Sequence, residues 1–286
     1  MVRLGLIQAP ASSDAAANFH TIRQFAEAGK AAGCTAICFP EAFLTGYFPE
    51  LAADLALEQN HPLLLRLAEL ARSLEVDLLV GFMEKAQEQI YLTHGIWRYD
   101  GTRDDYRKTH LGQKEQEIFS PGDKLQVFYL SCGLRIGIQL CMETHFPEIT
   151  QTYSLSGAEV VFAPHASPMG AEKRRNLWTK YIPARSYDNR VFMACCNLWD
   201  SHRFGGGCMV TDPKGDILAS SFENTPGLLS FDVEPEWIHS YHCCNPGKNH
   251  HYYPGRRNPK LYLQQALQND QEDTLFQLKT RHIPGE

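Results

Sequence analysis

Apolar and polar positions along the chain fall into short runs with two different periods. Residues 2–8 are mostly apolar and predict a largely buried first strand, and Asp14 is placed to cap a helix that ends near Gly33. Residues 35–39 predict a second short strand. Residues 62–74 carry Leu63, Leu67, Leu70 and Leu74 at helical spacing, which marks a core stripe, and residues 77–82 read as another buried strand. Two strand-like runs, 90–99 and 103–106, flank Asp100-Gly101, a hairpin turn signal. A further strand pair, 125–130 and 134–140, is separated by Ser131-Cys132-Gly133. Beyond it come a short helix over 147–156, a strand over 160–164 and a long helix over 171–188. Strands over 191–197, 207–212, 217–221 and 228–233 close the series. Strands alternating with helices, then strand pairs with helices, predict an α/β domain in which outer helices cover two stacked sheets. From Glu234 the chain is turn-rich and aromatic, with Tyr241, Tyr252, Tyr253 and Tyr262, and is expected to pack on another surface rather than build its own core.

Composition narrows the classes. At 286 residues and 43% hydrophobic, the chain can bury the core of one large domain, and no linker or repeat divides it. A net charge of -6 leaves no basic footprint for nucleic acid. The opening residues lack the basic leader and apolar centre of a signal peptide, and no run nears membrane-spanning length, so a soluble cytoplasmic protein is expected. Nine cysteines, an odd number in a chain too large to need staples, point to reduced thiols.

Three stretches carry chemistry. The buried strand over 134–140 runs into Cys141, and Pro147-Glu148 is a good helix opening, so Cys141 sits at a strand-to-helix elbow. A thiol there faces backbone N–H groups and can be held as thiolate; the plainer alternative is a small core hydrophobe. Glu41, after Phe39-Pro40, is a carboxyl among apolar neighbours, where desolvation raises its pKa toward neutrality, unless it is a capping or surface acid. Lys108 ends the second hairpin strand. The basic trio Lys173, Arg174 and Arg175 most simply forms a solvated helix face, with a substrate carboxylate as the alternative partner. Twelve histidines and the pairs Cys195-Cys196, Cys243-Cys244 and His250-His251 raise a metal-binding reading, but no Cys-x-x-Cys is present and neighbours in a strand face opposite ways.

Taken in order, Phe39-Pro40-Glu41 with Thr45-Gly46-Tyr47, Tyr106-Arg107-Lys108-Thr109-His110, Gly137 to Cys141 with Phe146-Pro147-Glu148, and Arg185 to Asn189 followed by Phe204-Gly205-Gly206 resemble the nitrilase, or carbon-nitrogen hydrolase, superfamily over nearly the whole chain. The resemblance implies a four-layer αββα sandwich that pairs into a homodimer, and a Glu41, Lys108, Cys141 triad. It implies a second glutamate in the loop after the lysine, which Glu115 fits better than Glu117. Tyr47, Met142, Glu143 and His165 are the positions it suggests for substrate contact, with the Met142 N–H as an oxyanion donor. It implies no cofactor and no metal. The activity it implies is hydrolysis of a small amide or N-carbamoyl amine through a cysteine thioester, with a nitrilase as runner-up. Met142 departs from the tryptophan usual in true nitrilases, and Thr144 and His145 replace the arginines with which carbamoyl amino acid hydrolases grip a carboxylate, leaving Arg174 or Arg175 to substitute.

Overall fold

The computed structural model describes residues 1–200, 202–242 and 257–262 of the chain. In order, the elements are β1 (Val2–Gln8), α1 (Ala15–Ala31), β2 (Ala36–Cys38), α2 (Ala52–Leu55), β3 (Leu57–Glu58), α3 (Pro62–Leu74), β4 (Asp77–Ala86), β5 (Gln89–Trp97) and β6 (Arg103–Arg107). There follow β7 (Phe128–Tyr129), β8 (Arg135–Ile138), α4 (Pro147–Leu155), β9 (Val160–His165), α5 (Ala171–Asn189), β10 (Phe192–Asn197), β11 (Cys208–Thr211), β12 (Ile217–Ser221), β13 (Gly227–Val233) and α6 (Pro235–His242). The first sheet is ordered β13-β1-β2-β4-β5-β6, with β3 added beside β4; the second is β12-β11-β10-β9-β8-β7. In both, the middle strands are parallel: β1, β2 and β4 in one, β8, β9 and β10 in the other.

Period-two alternation within the strands builds the layers. In β10, Phe192, Ala194 and Cys196 enter the core between the sheets, while Met193 and Cys195 face the helices; β9 divides Val160 and Phe162 from Val161 and Ala163 in the same way. Cys195 and Cys196 are therefore core residues of two different layers, not a ligand pair. On the other side, Leu78, Val80 and Phe82 of β4 meet Phe19 and Ile22 of α1 and Leu63, Leu67 and Leu70 of α3, while Leu79 turns to the inter-sheet core. The result is helices, sheet, sheet, helices, the αββα order expected. The cap of α1 is as read: Asp14 accepts from the N–H groups of Ala16 and Ala17, and Gly33 beyond the helix has φ +82°.

Four details differ from the sequence reading. The strand expected over 125–130 shortens to β7, because residues 125–127 belong to the irregular loop that precedes it. A 3-10 turn, Cys141–His145, stands between β8 and α4 where a direct elbow was expected. The chain after Glu234 opens with a helix, α6, rather than a turn-rich tail. Arg174 is buried, whereas its neighbours Lys173 and Arg175 are exposed, so the basic trio is not one solvated face. Tyr252, Tyr253, Cys243-Cys244 and His250-His251 lie outside the described residues. Among the described residues, no helix is long and apolar enough to cross a membrane.

Candidate active site

Because β6 is antiparallel to β5 and β5 to β4, β6 runs the same way as β2, and Glu41 and Lys108 leave the first sheet at the same edge. Cys141 follows β8 and His165 closes β9, at the carboxyl edge of the second sheet. Carboxyl ends of parallel strands are where α/β folds assemble sites. Among the hydrogen bonds that join the two edges, the Ala166 N–H donates to Glu41 Oε2 at 3.1 Å, across 125 positions of sequence.

The loop carrying Glu41 is fastened along β4. Phe39 and Leu44 donate backbone N–H groups to Leu79 and Gly81 carbonyls, both at 2.9 Å, and the Met83 N–H donates to the Thr45 hydroxyl at 3.0 Å. Buried Asn18 ties the loop to α1 through the Leu44 carbonyl at 3.0 Å. Gly81 permits the approach: a Cβ there would lie 2.3 Å from the Ala42 nitrogen. Ala42, next to Glu41, has φ +52°, and Cys141 itself has φ +43°. Each such non-glycine residue stores about 1–3 kcal/mol, and here the stored strain flanks the reactive groups.

Lys108 Nζ donates to Glu41 Oε1 and to Glu115 Oε1, each at 2.8 Å, with all three side chains buried. Glu115 also accepts from the Tyr47 hydroxyl at 2.7 Å and the Gly112 N–H at 2.6 Å. Glu117, its rival in sequence, is exposed. The two carboxyls are driven apart. Burial pushes Glu41 up to about 7 against the pull of Lys108. Glu115 is also penalised by burial, but Lys108 and the donors around it hold it below its ordinary value. One carboxyl thus titrates near neutrality and the other stays anionic, a division of roles that suits acid–base chemistry. Burial disfavours the Lys108 ammonium, but Glu41, Cys141 and Glu115 outweigh it and raise its pKa.

Cys141 is half-buried at the head of its 3-10 turn. Burial, then the Glu41 carboxylate, push its thiol up to about 12, although Lys108 and Arg174 pull it down. Desolvation outweighs the nearby cations and favours the thiol in the free site, so the thiolate that the sequence allowed depends on a base, and Glu41 is the carboxyl whose charge acts on it most strongly.

Of the residues expected at substrate, Tyr47 holds Glu115 and the Met142 side chain is 39% exposed beside the cysteine. Glu143 is turned inward, 0% exposed, and saturated by protein donors. Its Oε1 accepts from Thr109 N–H, Thr109 hydroxyl and Tyr106 hydroxyl at 2.7 Å and from His110 N–H at 3.3 Å; its Oε2 accepts from Leu140 N–H at 2.7 Å. Its carboxylate clamps the Lys108 segment to the Cys141 turn and is closed off from solvent. His165 is buried too, with Nδ1 2.8 Å from the Ala163 carbonyl and its ring edge-on to Trp178. Thr144 donates to the Cys141 carbonyl at 2.7 Å and meets the Tyr181 hydroxyl at 3.1 Å, a brace for the turn that sequence reading missed. A cleft of about 340 Å³, lined in part by His110, Gln116, Phe119 and Phe146, opens beside these two segments.

A family model for carbon-nitrogen hydrolases matches residues 3–242. The chain belongs to the carbon-nitrogen hydrolase family. It is 31% identical over 189 residues to an (R)-stereoselective amidase of Pseudomonas sp., covering 64% of this chain and 67% of that one. It is 26% identical over 263 residues to the N-carbamoylputrescine amidase of Solanum lycopersicum, covering 82% and 87%. Among solved structures it is similar to a variant of the amidase from Nesterenkonia sp. AN1 that shows the result of Michael addition of acrylamide at the active-site cysteine. That match has a TM-score of 0.75 and 25% identity and covers 85% of this chain and 97% of the other. The two-sheet architecture and the carbon-nitrogen hydrolase family agree with what the sequence motifs implied.

Proposed function

We propose that this carbon-nitrogen hydrolase cleaves a small amide or N-carbamoyl amine through a thioester on Cys141. The observation that carries the reading is the buried Glu41–Lys108–Glu115 cluster with the strained, half-buried cysteine in its field. The amidase relatives, and the acrylamide-modified cysteine of the Nesterenkonia amidase, support the choice of nucleophile and substrate class.

Glu41 as carboxylate takes the Sγ proton as the sulfur attacks the carbonyl carbon. A C–S bond forms, and the carbonyl π pair moves onto oxygen. Burial raises the thiol further from its ordinary range than the pull of Lys108 and Arg174 can offset, so the transfer is coupled to attack rather than completed beforehand. The Lys108 ammonium and the Met142 N–H stabilise the oxyanion. Glu41 then passes its proton to the nitrogen, the C–N bond breaks, and ammonia or an amine departs. Water, deprotonated by Glu41, attacks the thioester; the acid leaves and the thiol is restored. A carbamoyl substrate ends as ammonia, carbon dioxide and the free amine.

The test is ammonia release from a panel of aliphatic amides, N-carbamoyl amines and nitriles, with mass spectrometry of the protein for an adduct at Cys141. Turnover of amide or carbamoyl members, abolished in Cys141→Ala and reduced about 10²- to 10³-fold in Lys108→Ala, is expected. Turnover surviving Cys141→Ala overturns the mechanism, and conversion of nitriles alone overturns the substrate class.

A further inference from the structure

Among the described residues Arg174 is a buried charge without a counter-ion. It lies in the first turn of α5, where the helix dipole disfavours a cation, and it is only 2% exposed. Among the described residues no carboxylate pairs with it, and its Nε and Nη2 have no hydrogen-bond partner. A buried, unpaired guanidinium is strongly unfavourable unless something else supplies the opposite charge.

Its surroundings show where that charge would sit. Arg174 acts electrostatically on Cys141, which places it in the field of the reaction centre. Its Cζ is 5.2 Å from the ring of Trp178, one helical turn on, whose buried indole Nε1 is also without a partner. The other groups that feel it are His145, His165, Tyr181 and the buried Cys195 thiol, none of them anionic; both imidazoles are held neutral, by burial first and by Arg174 and further cations after it, and burial pushes the Cys195 thiol up. Among the described residues the carboxylates near the cysteine are already engaged: Glu41 and Glu115 are joined to Lys108, and Glu143 accepts from the Leu140 N–H and the segment 106–110. Trp178 in turn stands 4.9 Å from the ring of His165, which ends β9 at the carboxyl edge from which Cys141 also leaves, so donors without acceptors at that edge make an anion site.

We infer that Arg174 is the counter-ion for a carboxylate carried by the substrate, so that the enzyme acts on acidic amides or acidic N-carbamoyl compounds rather than on carbamoyl amines bearing a free ammonium. The inference rests on the proposed amide or carbamoyl hydrolysis and narrows its substrate. A planar guanidinium matches a carboxylate in a way that an ammonium substrate group cannot exploit, and unpaired positive charge repels such a group. The N-carbamoylputrescine amidases are similar to this chain, yet a substrate with a terminal ammonium would leave Arg174 unpaired and add a second cation beside it.

Near-isosteric pairs test this. Succinamate differs from butyramide by a carboxylate in place of a methyl group, and 4-ureidobutyrate differs from N-carbamoylputrescine by a carboxylate in place of an aminomethyl group. Binding is measured by calorimetry on full-length Cys141→Ala. The acidic member of each pair is expected to bind roughly 10- to 100-fold tighter, the range of a hydrogen bond to a charged partner. Adding Arg174→Met is expected to erase that preference, and adding Arg174→Lys to retain part of it. Equal affinity within both pairs overturns the inference without any change at position 174, as does a preference that survives Arg174→Met. Ammonia release by the unsubstituted protein reads the hydrolase function separately. Butyramide turnover without a carboxylate preference sinks the inference alone; no turnover of any member sinks the hydrolase reading, while calorimetry still decides the anion site.

Discussion

Glu143 offers the sharpest test of how the site is held, because a single buried carboxylate accepts five hydrogen bonds and four of them fix the segment 106–110 that carries Lys108. In Glu143→Gln the amide oxygen can keep the four donors now on Oε1. The amide nitrogen then meets the Leu140 N–H, donor against donor, where 2.7 Å now separates donor from acceptor. An orphaned buried N–H costs about 1–3 kcal/mol, and the four retained bonds lose their charge assistance. The loss of stability should therefore be about 3–5 kcal/mol, measured as a shift in the urea unfolding midpoint at constant m. Leu140 precedes Cys141 directly, so the same repulsion moves the sulfur relative to the Lys108 ammonium. A displacement near 1 Å costs on the order of 10²-fold in turnover, and it should fall on kcat rather than KM, since the Glu143 carboxylate is buried among protein donors away from solvent. Steady-state ammonia release beside the urea curves decides it. Wild-type stability and kcat in Glu143→Gln would refute the clamp, and a change confined to KM would return Glu143 to the substrate-binding role expected from sequence.

Three further outcomes follow from the same geometry. Burial raises the Glu41 pKa to about 7, so the basic form needed for attack appears only as pH rises, and kcat/KM should climb through about pH 7; Glu41→Gln should lose both the activity and this limb. The stability effect has the opposite sign, because a raised carboxyl pKa favours the folded state below the ordinary value near 4.5 and loses that contribution as pH rises through about 7. Urea midpoints across pH 4 to 8 should fall less steeply in Glu41→Gln than in the wild type. Gly81→Ala places a Cβ 2.3 Å from the Ala42 nitrogen and should cost about 1–3 kcal/mol in stability together with activity, as the Glu41 loop is pushed off β4; an active, stable variant would show that the loop does not depend on this approach.

Much of this protein was determined by local sequence. Asp14 and Gly33 bound α1, Asp100-Gly101 turns the β5–β6 hairpin, and alternation in β9 and β10 sorts each residue to one of two layers, because capping, turn chemistry and side-chain period act over a few residues. The ordered motifs around Glu41, Lys108 and Cys141 also sufficed to place the chain in its family. The helical spacing of Arg174, Trp178, Ile182 and Ser186 already held the signal that Arg174 lies on a buried stripe, but a run of three basic residues concealed it. Only the tertiary structure decided which groups meet and in what protonation state. The Lys108–Glu41 contact spans 67 positions and the Ala166–Glu41 contact 125. Whether Cys141 rests as thiol or thiolate, whether Glu143 faces substrate or the chain, and whether Arg174 has a partner all depend on desolvation and Coulomb fields, and these are set by distant segments brought together in a medium of low polarity.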